Sequence, residues 1–156
     1  MTSALATPTH QDLIAIMSNQ RRLLEQLLFR HAEISMLIAA GEHRFVGRAI
    51  DEALEVEAEL GAAELLRAMT TIGFGGGPGP AGGPGGGDVA ISQIITDAPA
   101  DAAATLGRLA DDMGRLIQEV GRYRSQAAAW AGERAEMVSR AVAGFGAQTY
   151  SAGRGS

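Results

Sequence analysis

Residues 106–141 read LGRLADDMGRLIQEVGRYRSQAAAWAGERAEMVSRA. Leu106, Leu109, Met113, Leu116, Val120, Tyr123, Ala127, Trp130, Met137 and Ala141 alternate by three and four, and Arg134 is the one charged residue on that line. The pattern is a heptad seam over five repeats and predicts a long helix with one face against neighbours. The helix starts near Pro99-Ala100-Asp101, where Asp97 or Asp101 favours the positive end of the helix dipole. Gly107, Gly114, Gly121 and Gly132 each weaken it by about 1 kcal/mol relative to Ala. The first three recur every seven residues. Close approach of a neighbouring backbone explains that spacing, and so does a Gly-rich composition.

Upstream, residues Pro8 to Ala40 carry one stripe of Leu13, Ile16, Leu23, Leu27, Ile34 and Leu37, with Met17, Leu24, Leu28 and Ile38 beside it. This face is broader than a two-stranded coiled coil needs, so the helix expects neighbours on more than one side. Thr7 or Thr9 can cap it. Gly41 breaks the pattern in Ala39-Ala40-Gly41-Glu42-His43, where a left-handed Gly would close the helix. A second helix is expected from Glu42 to Met69, with Phe45, Ala49, Ile50, Ala53, Leu54, Val56, Leu60, Ala63 and Leu66 inward and an acidic outer face. Two long helices joined by so short a turn must fold back on each other. The expected fold is therefore all-α: an antiparallel hairpin (1–72), a Gly/Pro-rich flexible linker (73–88), a short helix and the long heptad helix (89–145), and a flexible tail (146–156). Beyond Phe74 the linker has no large side chain that could bury apolar area, and as a random coil it would reach about 20 Å.

Composition excludes much chemistry. The chain has 156 residues, no Cys and no Lys; all thirteen of its basic residues are Arg. Thiolate sites, Schiff bases and the P-loop lysine are ruled out together. A net charge of -5 argues against nucleic acid as partner. The longest apolar run, Ile34 to Ala40, is too short to span a membrane, and the start of the chain lacks a secretory pattern. A cytoplasmic location is the expectation.

No catalytic constellation emerges. The Gly tract lacks the flanks of a phosphate loop. His10, His31 and His43 form no metal-ligand pair, so no metal or cofactor is expected. Asp111-Asp112 and Glu133/Glu136 read as solvated acids on a helix. Arg108, Arg115 and Arg122 form a heptad column, read as a solvated face that can pair with the acids of the second helix rather than as a docking stripe. Trp130 serves either the seam or a partner interface. The stretch Met137, Val138, Ala141, Val142 and Phe145 carries the apolar face into a Gly-rich region. It suits either an ordinary helix end or an adaptable surface for another helix.

The segments Leu24-Glu25-Gln26-Leu27-Leu28-Phe29-Arg30 and Leu37-Ile38-Ala39-Ala40-Gly41-Glu42-His43-Arg44-Phe45, followed by Arg48-Ala49, resemble the start of the FlgN-type flagellar export chaperones in their actinobacterial form. Ile91 to Pro99 is similar to that family's segment before its third helix, and Thr149-Tyr150-Ser151 with Gly153-Arg154 to its ending. Val120 to Gln126 departs from it by lacking the family's Asn. The resemblance implies a non-enzymatic chaperone that binds flagellar hook-associated proteins through their terminal amphipathic helices and delivers them to the flagellar type III export apparatus. It places the guest toward the C-terminal region, hence at Trp130, Met137, Val138, Ala141, Val142 and Phe145. Trp130-Ala131-Gly132 also matches the Trp-x-Gly of secreted type VII helical hairpins, so a secreted or structural hairpin protein is the alternative. A coiled-coil adaptor is a third reading. A heptad seam serves a monomer or a homodimer equally.

Overall fold

A computed structural model of the chain describes residues 8–74 and 86–152, with side chains described at all of these except 86–90, 141, 142 and 144–152. It is all-α. Helix α1 spans His10–Ala39, α2 His43–Gly73, α3 Gly86–Asp97 and α4 Ala100–Ala152. The Gly/Pro tract 75–85 and residues 153–156 lie outside the described residues. Helix α4 continues through residues 146–152, past the expected boundary at 145. After Pro99 the sequence contains no further proline to stop it.

Local chemistry sets the ends. Thr9 caps α1: its hydroxyl accepts from the Asp12 amide at 3.2 Å, and the Asp12 carboxylate accepts from the Thr9 amide at 2.8 Å. These bonds hold the Asp12 carboxyl below its ordinary value, the side-chain bond from Thr9 being the largest cause. At the other end Gly41, with φ 73°, closes a Schellman motif. Its amide donates to the Ile38 carbonyl at 3.1 Å, and the Glu42 amide donates to that of Leu37 at 2.9 Å.

Helix α1 is central. It packs along α2 and along α4, and α2 and α4 nowhere approach each other by backbone. Arg30 of α1 meets Glu52 at 2.8 Å, and His10 stacks near Phe74 with ring centroids 5.2 Å apart, so α2 runs opposite to α1. Arg21 meets Asp112 at 3.4 Å and His31 meets Arg124 at 3.4 Å, so α4 runs the same way as α1. Helix α3 folds back on the start of α4 and reaches the end of α2; its backbone does not approach that of α1, although Ile94 shares an apolar cluster with Leu13 and Met17. The four helices thus sit at the corners of a square, with α3 diagonal to α1.

Two apolar clusters fill this frame. Leu13, Met17, Ile94, Leu106 and Leu109 form the lower one, where α3 closes the square. Leu27, Ile34, Ala49, Ala53 and Val120 form the upper one, where α3 is absent. Shortening a buried Leu in either costs about 2–5 kcal/mol.

The expected face of α2 needs correction. Ala49, Ala53, Ala63 and Thr71 are buried, and Val56 and Leu60 are half-buried, whereas Phe45, Ile50, Leu54 and Leu66 are exposed. The small residues let α2 approach the Leu-rich face of α1 closely, and the large ones are left outside. For the glycine column of α4, the first of the two explanations is not met. A Cβ at Gly107, Gly114 or Gly121 would meet nothing within 4 Å, so among the described residues no backbone approaches there.

Candidate functional site

The end of α4 is the first candidate. Arg134 lies beside His43, at 2.9 Å from Nε2, which marks the level where α4 passes the turn between α1 and α2. The next 18 residues, 135–152, extend about 27 Å beyond it. Trp130, just below that level, is half-buried. Met137 is 68% exposed and Val138 58%. Arg140 pairs with Glu136 on its own helix at 3.1 Å. The side chains of Ala141, Val142 and Phe145 lie outside the described residues. The heptad seam is therefore buried at Leu106, Leu109 and Val120, half-buried from Tyr123 to Trp130, and open at Met137.

A second candidate escaped the sequence reading. Between α2 and α4, above α3, lies a groove of about 410 Å³. Leu24 and Leu27 of α1 form its floor, Leu60 and Gly61 one wall, and Ile117, Val120 and Gly121 the other. Ile117 is 55% exposed although it flanks buried Val120. Glu57 and Glu64 stand on the α2 wall and Arg124 on the α4 wall. Arg124 forms an ion pair with Glu57. The groove continues onto the outside of α2, where Leu54 and Leu65 lie one or two turns from Gly61 on the same column. Ile50, Met69 and Ile72 extend that exposed stripe. The signal is present in α2 as Ile50-Leu54 and Leu65-Met69-Ile72 at three- and four-residue spacings, but the sequence expectation puts Ile50 and Leu54 on the inward face.

The histidines are interfacial. His31 Nε2 accepts from Arg124 at 3.4 Å and stands 3.8 Å from Glu57. Burial, then the Arg124 charge, holds its pKa below the ordinary histidine value. Of the Arg column, Arg115 pairs with Asp112 on its own helix, while the ion pair from α4 to the acids of α2 is made by Arg124. Among the described residues no group of three acidic or imidazole side chains could hold a metal ion, and no helix is long and apolar enough to cross a membrane. Compared with family models, curated proteins and solved structures, the chain has no match in any of the three.

Proposed function

We propose that this protein is a cytoplasmic, non-enzymatic export chaperone. It covers the terminal amphipathic helix of a flagellar hook-associated protein, prevents premature assembly, and hands the subunit to the flagellar type III export apparatus. In this reading the antiparallel pair α1/α2 and the third long helix α4 are the scaffold, and the Gly/Pro tract is a tether between them. Trp130, Met137, Val138, Ala141, Val142 and Phe145 form the guest surface.

The observation that carries the reading is the apolar line of α4 outrunning its own bundle, with Met137 and Val138 open to water. Such a surface is costly to leave bare and is used for association. The likeness of residues 24–49 to FlgN-type chaperones supplies the identity of the guest. The type VII alternative gains nothing here: its motif belongs in a turn, and Trp130-Ala131-Gly132 lies inside α4.

Co-expression with candidate hook-associated proteins tests this. A soluble stoichiometric complex is expected with at least one of them, and Met137→Asp combined with Val138→Asp should weaken it at least tenfold with the free protein's helicity retained. Failure of every such subunit to co-purify would refute the proposal.

A further inference from the structure

We infer that the open fourth corner of the bundle takes a partner's amphipathic helix of about 18 residues, with Lys or Arg along the edges of its apolar face. This surface is separate from the α4 overhang, so the inference stands whether or not the guest is a flagellar subunit.

The chain itself shows what fits this corner. Helix α3 occupies the lower part, inserting Ile91 and Ile94 among apolar residues of its neighbours. It covers about 18 Å of a frame about 45 Å long, leaving about 27 Å of the same corner unfilled. The floor runs on along the same face of α1, from Leu13 and Met17 past buried Gln20 to Leu24 and Leu27. Helix α2 turns small residues inward and leaves Ile50, Leu54, Leu65, Met69 and Ile72 exposed. A contiguous exposed apolar stripe of this kind is what marks an interaction surface. Opposite it, Gly121 leaves room for a helix to approach α4 closely.

Charge selects the occupant. Glu57 and Glu64 line one edge of the α2 stripe, and Asp51 and Glu55 lie along the other. Among the described residues the one cation lining the groove, Arg124, is already engaged by Glu57. An incoming helix with basic edges meets complementary charge, and one with acidic edges meets repulsion. A second copy is a poorer match. The free end of its α4, residues 135–152, balances Glu136 against Arg140 and offers no basic excess.

The test uses two fluorescein-labelled 18-residue peptides with Leu and Ile on one face. One carries Lys at the edge positions, the other Glu. Anisotropy against the full chain should show micromolar binding of the Lys peptide and at least tenfold weaker binding of the Glu peptide. Gly121→Leu, whose Cβ has open space and whose side chain extends into the groove, should weaken the Lys peptide at least tenfold while raising the thermal midpoint. Met137→Asp with Val138→Asp should leave peptide binding unchanged. Equal binding of both peptides, binding of neither, or undiminished binding by Gly121→Leu would overturn the inference. So would light scattering that finds a dimer whose amides at 117–121 are protected from exchange, because a second copy would then be the occupant.

Discussion

Glycines of the same type have opposite roles here, and space decides which. At Gly121 a Cβ meets nothing, so Gly121→Ala should stabilise the free protein by about 1 kcal/mol through helix propensity alone. Chemical denaturation would read this directly. At Gly73 the same Cβ would run into the ring of Pro8, so Gly73→Ala should destabilise and loosen the contact between the end of α2 and the start of α1. His31 provides a pH signature. Its folded pKa lies below the unfolded value of about 6.5, so the unfolded chain binds the proton more readily. Stability should be complete above about pH 6.5, fall as pH drops from there toward the folded pKa, and then level off. His31→Gln should remove that slope in a series of thermal melts across pH 5 to 8.

At the scale of elements, α2 inverts the usual rule that large apolar residues go inside. Leu54→Glu and Leu65→Glu should each change stability by no more than about 0.5 kcal/mol, because both side chains are exposed. Ala53→Leu, nominally an apolar gain, should cost about 1–3 kcal/mol by overpacking the α1/α2 contact. Denaturant midpoints of the three variants check this order. The inversion also marks what could be read beforehand. The face of α1 was legible, since Leu13, Leu23, Leu27 and Ile34 are all buried as their spacing required. On α2, large and small apolar residues are interleaved, and periodicity does not weigh size. Which face turned inward depended on how closely a Leu-rich neighbour could approach, a tertiary fact. The exposed end of α4 was legible as residues but not as geometry. Its register against the turn at Gly41 follows from long-range contacts such as Arg134 with His43. The shortness of α3 was legible; the groove also required knowing that α3 packs against α2 and α4 and leaves the rest of that corner open, a tertiary fact.

For the whole molecule, separation of fold from guest binding is the expectation. Deleting residues 135–156 removes a segment beyond the hairpin level, so the thermal midpoint should hold within a few degrees while guest capture is lost. Calorimetry and co-purification on the same truncated chain would show both. The length of α4 has a hydrodynamic corollary. A compact chain of 156 residues has a radius of gyration of about 15 Å, whereas a helix of 53 residues alone runs about 80 Å. Such a molecule tumbles slowly and elutes early from a sizing column. A lone protomer will therefore pass for a pair on any measurement calibrated with spheres, and its mass has to be read by a technique indifferent to shape.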